Sequence, residues 1–598
     1  MRNDNGGNMR SKQLNTLSVI LILLLILTGA YAIYMKGFAP NKTVVEPFDT
    51  EGMHLVIDGD WIKDTLPPSI KEGQILLPFD TIKTHLDPYL WYDEDLQKVT
   101  ITTRDRVVRM KTGSLEALIN EKPMELKFPA VEEEGSLYLP IDFLGEFYSL
   151  SVRYVRENDL VIVDRKATPY KTAWPVDART VVRRERSIRE PIIKKFLGEG
   201  EKGLTISQSP ENNLLIYADY EDWLKVRTYD GAIGYVKKDE VVLSQYQPSL
   251  GEPVEETPPP LTSGKINLVW DMTYSKSNIE LSNQNTPGID VISPTWFEIV
   301  DREGTIKNRA TPEYMEKAHQ NGWQVWALFS NAFGDIEGTS MILNNSDKRQ
   351  EVIRSILAYA SLYKLDGINL DFENIYKKDK DAYTQFVREF YPLAKEQGLY
   401  VSVDVTVPDG SDTWSKCFDR KALAESVDYV CLMTYDQHWS TSPKAGSTAE
   451  LQWVEENLLK TLTEVPAQKL LLGIPLYTRL WTSETVDGQT KVASKALNVT
   501  TAWKEIDDNE AVVAWNDQLG QYQANYEKDG KTYQMWIEDA DAVNMKTSLV
   551  HRYNLAGACV WAANFADERV FSIFERNLKQ VQSYEEWKNS YSLPENQK

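Results

Sequence analysis

Along the C-terminal half of the chain, short apolar runs alternate with patterns of helical spacing. The runs occupy 266–270, 291–293, 324–329, 367–370, 401–405, 429–434, 470–474 and 556–561. Helical patterns at 312–321, 349–363 and 380–397 lie between some of them. Runs of this length joined by helical crossovers imply parallel strands, and eight of them fit a closed (β/α)8 TIM barrel. The stretch between Ile474 and Ala556 is too long for a plain loop. Its patterns at 490–499 and 523–538 predict a small α+β insertion. The tail after Phe574 reads as a charged, peripheral helix.

The N-terminal half has a different rhythm. Residues 51–168 read as short strands with turns and carry an approximate internal repeat. Ile75-Leu76-Leu77-Pro78-Phe79 runs through Trp91-Tyr92-Asp93 into 99–102. Leu137-Tyr138-Leu139-Pro140-Ile141 runs through Val152-Arg153-Tyr154 into 160–163. Each copy predicts strand, short helix, strand and hairpin strand, an α+β repeat domain. This region resembles the copper amine oxidase N-terminal-like repeat domain, a likeness that implies neither copper nor oxidase activity. Residues 178–245 predict a small β barrel from strands at 180–184, 203–208, 214–217, 223–228 and 232–237. Its hairpin, with Trp223, Val226, Gly231, Gly234, Tyr235 and Val236, resembles the bacterial SH3-like domain. Residues 246–264 combine acid with Pro258-Pro259-Pro260 and read as an extended linker.

Residues 13–35 carry no charge, and Arg2, Arg10 and Lys12 precede them. This predicts a cytoplasmic tail at 1–12 and a transmembrane anchor at 13–35, with the rest of the chain outside the cell. The alternative is a cleaved signal peptide and a secreted chain. Three cysteines and five scattered histidines offer neither a disulfide framework nor a short-spaced zinc motif. A net charge of -22 argues against a general nucleic-acid binder. Thirteen of the 17 Trp follow residue 263, which concentrates the large aromatic surfaces in the barrel region.

The candidate chemistry lies in Leu365-Asp366-Gly367-Ile368-Asn369-Leu370-Asp371-Phe372-Glu373. Ile368, Leu370 and Phe372 share one parity; Asn369, Asp371 and Glu373 share the other. On a barrel strand the polar set faces the interior near the C-terminal mouth. Such a row is costly unless it is hydrogen-bonded or used. Two carboxyls at i and i+2 are too close to flank a sugar as acid and nucleophile, which favours a nucleophile supplied by the substrate.

The stretch resembles the "DGxDxDxE" signature of glycoside hydrolase family 18, in its spore-cortex and cell-wall lytic branch. The resemblance covers roughly residues 265–575. It implies Glu373 as general acid/base, Asp371 as the residue orienting a 2-acetamido group, and Asp366 and Gly367 as structural positions. Asn369 stands where the family's innermost aspartate is usual; it can hydrogen-bond Asp371 but cannot take its proton. Met433-Thr434-Tyr435-Asp436 resembles the strand-six "MxYD", which gives Tyr435 a catalytic role and places Met433 and Asp436 at the substrate. Trp561 matches the tryptophan that floors the -1 subsite. Trp536, within a "YxxWxED" context, and Tyr274, Phe297, Tyr477 and Arg479 are further candidate substrate contacts.

The resemblance implies a retaining glycosidase acting on β-1,4 bonds of an N-acetylglucosamine-containing glycan, without metal or organic cofactor. Peptidoglycan or spore cortex is the favoured partner; chitin oligosaccharides are the alternative. A catalytically silent wall-glycan-binding protein is the rival from another class. The sequence names no protein partner.

Overall fold

The computed structural model describes residues 7–37, 39–49, 51–63, 66–166, 171–198, 206–207, 209–244, 264–273, 286–486 and 489–591. The chain divides into two compact units. One comprises Met1–Pro88 with Leu126–Glu255, the other Tyr89–Glu125 with Glu256–Lys598.

The second unit contains the barrel. Its strands are β1 (Ile266–Asp271), β2 (Val291–Pro294), β3 (Gln324–Ser330), β4 (Gly367–Asp371), β5 (Tyr400–Thr406), β6 (Tyr429–Met433), β7 (Leu470–Pro475) and β8 (Gly557–Trp561). All eight pair in parallel with their chain neighbours, and β8 closes on β1. Helices Pro312–Gln320, Ser346–Tyr363, Lys380–Glu396, Leu451–Thr461 and Ala540–Arg552 are among those that flank it.

Two-residue periodicity explains how β4 sits. Ile368, Leu370 and Phe372 join the apolar layer between strands and helices. Phe372 stacks on Tyr383 and Phe386 of the helix Lys380–Glu396, with ring centroids 5.5 and 5.2 Å away. That packing commits Asn369, Asp371 and Glu373 to the opposite side. Gly367 starts the strand because an added Cβ would lie 2.7 Å from both the Trp326 ring and the Tyr400 carbonyl oxygen.

After β7 the chain builds an antiparallel five-stranded sheet before it returns to β8. Its order is Gln489–Leu497, Thr478–Val486, Lys531–Ile537, Gln521–Lys528, Val512–Asn516, with the helix Val499–Asp508 packed against it. The tail is less peripheral than its charge suggests. Trp587 is buried and its indole donates to Asn544 Oδ1 at 3.0 Å, while Asn577 is also buried. These contacts fasten the tail to the helix Ala540–Arg552.

A second addition to this unit is the antiparallel meander Trp91–Asp93, Lys98–Thr102, Val107–Lys111, Glu116–Ile119 and Lys122–Glu125. It lies inside the expected repeat region yet packs with the barrel. Asp93 Oδ2 accepts from the Ser346 amide at 2.8 Å, and Arg109 donates to the buried Glu389 at 2.9 Å.

In the other unit the two repeat copies meet directly. Strand Ser136–Pro140 pairs antiparallel with Gln74–Pro78, and each is followed by a short helix, Ile141–Phe147 or Phe79–His85. A seven-stranded sheet runs in the order Ile192–Lys195, Val181–Arg183, Ile233–Lys237, Trp223–Arg227, Leu214–Asp219, Lys171–Pro175, Val241–Leu243. It therefore starts seven residues before the expected boundary at 178, because Lys171–Pro175 fills the place between two later strands. Of the expected strand at 203–208 only residues 206–207 are described, and they are not in a strand; nearly all of the linker at 246–264 lies outside the described residues.

The N-terminal expectation is overturned. A helix spans Gly7–Gly37, but among the described residues no helix is long and apolar enough to cross a membrane. The uninterrupted aliphatic run from Val19 to Leu27 is nine residues. That is about 14 Å of helix against a hydrocarbon core of about 30 Å. Ser18 and Thr28 bound it, and the Thr28 hydroxyl turns back to the Leu24 carbonyl. The transmembrane anchor, the membrane as a partner, and the anchored localisation with its cytoplasmic tail are therefore not supported.

Candidate active site

The barrel mouth brings together the acidic end of β4 and the residues that follow β3 and β6. Asp371 is buried, and Glu373 is partly buried two residues further on. Their carboxyls share a hydrogen bond. Burial is the largest influence on both, and it pushes both well above the usual carboxylate range. The negative charge of Asp371 raises Glu373 further; a hydrogen bond from Glu373 partly offsets the rise at Asp371. In that shared hydrogen bond Glu373 is the donor and Asp371 the acceptor.

The backbone of Glu373 is held from β3. Asn331, immediately after that strand, accepts from the Glu373 amide at 2.9 Å and donates to its carbonyl at 2.8 Å. Asn331 also reaches Thr339 Oγ1 at 3.0 Å. One buried amide side chain therefore fixes both backbone polar groups of the acid.

Asn369 is fully buried and saturated. Its Oδ1 accepts from Trp270 Nε1 at 2.7 Å, and its Nδ2 donates to Ser402 Oγ at 2.9 Å and Asp404 Oδ1 at 2.7 Å. The expected contacts with Asp371 and with substrate give way to a buttress beneath the acid pair. Asp404, on β5, is 1% exposed.

Tyr435 follows β6 and packs against the aromatic interior cluster that contains Trp270 and Trp561. Burial pushes its hydroxyl well above the ordinary tyrosine value, with the charges of Asp404, Asp371 and Glu373 adding to it, so Tyr435 stays a hydrogen-bond donor. Asp436 adopts a left-handed backbone, φ 55°. That turn presents its carboxylate to Tyr477 OH at 2.6 Å and Arg479 Nη2 at 2.9 Å. Met433 is buried at the end of β6. Trp561 is half-buried at the end of β8, edge-on to Trp270 with ring centroids 6.0 Å apart.

Other expected residues have other places. Phe297 is 1% exposed and stacks flat on Tyr359 of an outer helix, centroids 5.5 Å apart, so core packing claims its ring. Trp536 lies on the insertion sheet opposite Gln523. Its neighbour Glu538 is fully buried, paired with Lys546 at 2.8 Å and bonded by Gln521 at 2.6 Å. Burial takes its carboxyl to about 7 despite Lys546. Asp539 caps the helix Ala540–Arg552, and burial takes it to about 6. Asp366 lies at the opposite end of β4, bonded by the Val325 amide and His319, both at 2.8 Å. Tyr274 lies outside the described residues.

Asn331, Ser402 and Asp404 were missed by reading the sequence for this site. For β5 the signal was present. Val401, Val403 and Val405 alternate with Ser402 and Asp404, the same parity rule as on β4. Asn331 gives no such signal, because it lies in the irregular segment after β3, where no alternation applies.

A hydrogen-bonded carboxyl pair at the C-terminal mouth of a (β/α)8 barrel is an arrangement of the kind glycoside hydrolases use. Residues 274–566 match Glycosyl hydrolases family 18, and residues 56–163 match the Copper amine oxidase N-terminal domain. The chain thus carries a family 18, chitinase-like domain related to cell-wall lytic enzymes. An uncharacterized glycosylase of Bacillus subtilis, YvbX, is 26% identical over 290 residues, 47% of this chain and 82% of that protein. The cortical fragment-lytic enzyme of the same organism is 30% identical over 240 residues, 39% of this chain and 54% of that protein. Among solved structures, the spore cortex-lytic enzyme SleL of Bacillus megaterium is 22% identical, with a TM-score of 0.48. It covers 56% of this chain and 79% of that one.

Proposed function

We propose that the barrel is a retaining glycosidase that cleaves β-1,4 bonds following an N-acetylglucosamine unit of peptidoglycan or spore-cortex glycan. The observation that carries this reading is the proton-sharing pair of Glu373 and Asp371 on one face of β4. Two carboxyls in direct hydrogen-bond contact cannot lie on either side of a sugar ring, so the substrate's own acetamido oxygen is the nucleophile. Glu373 gives its proton to the glycosidic oxygen as the bond to the anomeric carbon breaks. The acetamido oxygen bonds to that carbon and forms an oxazolinium ion. Asp371 accepts from the acetamido N–H and balances its positive charge, while Tyr435 donates to the acetamido oxygen. Water then adds to the anomeric carbon, the bond to the acetamido oxygen breaks, and Glu373 takes the proton from water. Configuration is retained.

Asp436, held by Tyr477 and Arg479, is placed to receive sugar hydroxyls, and Trp561 offers its indole face to the apolar face of the ring. The named activity of the cortical fragment-lytic relative supports a wall glycan over soluble chitin. The module expected at 178–245 is read as an SH3-like accessory unit, on the strength of its alternating hairpin Trp223–Lys237.

Release of reducing ends from purified peptidoglycan and from chitin oligomers tests the proposal. Wild type is expected to release product and Glu373→Gln to lose at least about a hundredfold in kcat. Equal turnover by the two proteins, or tight glycan binding with no product from wild type, would overturn it.

A further inference from the structure

The interior of the barrel holds a third carboxyl that the proposed reaction does not use. The alternation on β4 places three polar residues inside, of which only Asp371 and Glu373 are acids. Asn369, the deepest, spends its amide on the neighbouring strand, donating at 2.7 Å to Asp404 Oδ1. Asp404 is 1% exposed and, among the described residues, pairs with no cation. Cys431 on β6 shares a hydrogen bond with it. Asp371 Oδ1, meanwhile, is buried with no hydrogen-bond partner among the described residues. A buried carboxyl without a cation is costly, so its retention calls for a use.

We propose that Asp404 is a positioning residue for the acid pair: it supplies from β5 the buried acid that Asn369 omits on β4, and Asn369 holds it in place against Asp371. This inference rests on the acid role of Glu373 proposed above. Asp404 acts on that acid through charge, since it touches neither substrate nor leaving group.

The groups that share its surroundings are Asp371 and Glu373 on β4, Cys431 and Tyr435 on β6, Cys559 on β8 and Tyr383 of the helix outside β4. No lysine, arginine or histidine is among them. Burial pushes Asp404 itself well above the usual carboxylate range, so the three acids titrate together, and once Asp404 is ionised its charge makes it harder for Asp371 and Glu373 to lose their protons. Asn369 fixes the geometry of this influence, because its amide is held by Trp270 on one side and by Ser402 and Asp404 on the other.

Exchanging the two residues provides the test. The pH profile of kcat/KM is measured with a fluorogenic chitotrioside for wild type, Asp404→Asn, Asn369→Asp and the double exchange. Asp404→Asn removes the like charge that Asp404 carries once it ionises on that limb, so the alkaline limb is expected to move down by about one pH unit, a tenfold loss at a fixed pH there. The double exchange returns an acid to the cluster and moves the limb back toward wild type. An unchanged limb in Asp404→Asn, or a double variant no better than the worse single one, overturns the inference. The 13C titration of the Glu373 carboxyl, assigned by comparison with Glu373→Gln, reads the same shift without turnover. If wild type cleaves nothing, the glycosidase proposal fails while this titration still decides the role of Asp404.

Discussion

Glu373 shows how much of the setting of a proposed acid lies outside its own side chain. Its proton is kept by burial and by Asp371, and its backbone is fixed by Asn331. Because Glu373 is raised, kcat/KM should fall as pH rises through its titration, and the fall should begin above the range of an ordinary glutamate. A pH–rate profile checks this, and an alkaline limb near 4.5 would refute it. Asn331→Ala leaves two backbone polar groups without their partner and frees the acid to shift. A displacement of about 1 Å can cost about a hundredfold. The expected result is a loss of roughly ten- to a hundredfold in kcat with KM little changed, read by steady-state kinetics. A loss confined to KM would place Asn331 in substrate binding instead.

Strand β4 is the element in which pattern and site coincide. Its apolar parity packs on the outer helices, and its polar parity is thereby forced into the barrel. The same rule on β5 points to Ser402 and Asp404, which alternate with Val401, Val403 and Val405 just as locally. Phe297 was not legible, because an aromatic after a strand end reads the same whether it faces the mouth or, as here, an outer helix. Gly367 is demanded by the close approach of β3 and β5. Gly367→Ala would press a methyl group against the Tyr400 carbonyl and the Trp326 ring. The expected cost is about 1–3 kcal/mol, measured by denaturant unfolding of the purified protein; an unchanged midpoint would show that the strands can part freely.

At the scale of the molecule, the catalytic unit is more than its barrel. The meander within 89–125 contributes Arg109 to a buried charge cluster. There Glu389 accepts from Arg109 at 2.9 Å, from Arg349 at 3.0 and 2.8 Å, and from Gln385 at 3.0 Å. Burial alone would raise Glu389, but Arg349 and Arg109 together hold it below the ordinary carboxylate value. A lowered folded-state value means stability that is present above the unfolded value of about 4.3 and lost as pH falls through the folded one. Glu389→Gln should therefore be less stable than wild type at neutral pH. The difference, about 3–5 kcal/mol for a broken buried pair, should shrink in acid. Urea unfolding at pH 7 and pH 3 measures both, and a constant difference would sink the account. The net charge of -22 still opposes approach to anionic wall polymers. Glycan release should therefore rise with moderate salt, in reducing-end assays run across ionic strength.

Periodicity alone determined the eight strands, the insertion and the acidic face of β4, because two-residue alternation and strand length are local properties of the chain. Tertiary structure decided the rest. It joined Asn369 to Asp404 across strands 35 residues apart in sequence, drew Asn331 under Glu373, and folded the meander of the repeat region onto the barrel unit. It also withdrew the N-terminal anchor, whose charge-free length looked sufficient but whose aliphatic core is short. The reason is the same throughout. A residue's alternation is written in its neighbours along the chain, whereas its hydrogen-bond partners and its burial depend on strands that meet only when the barrel closes.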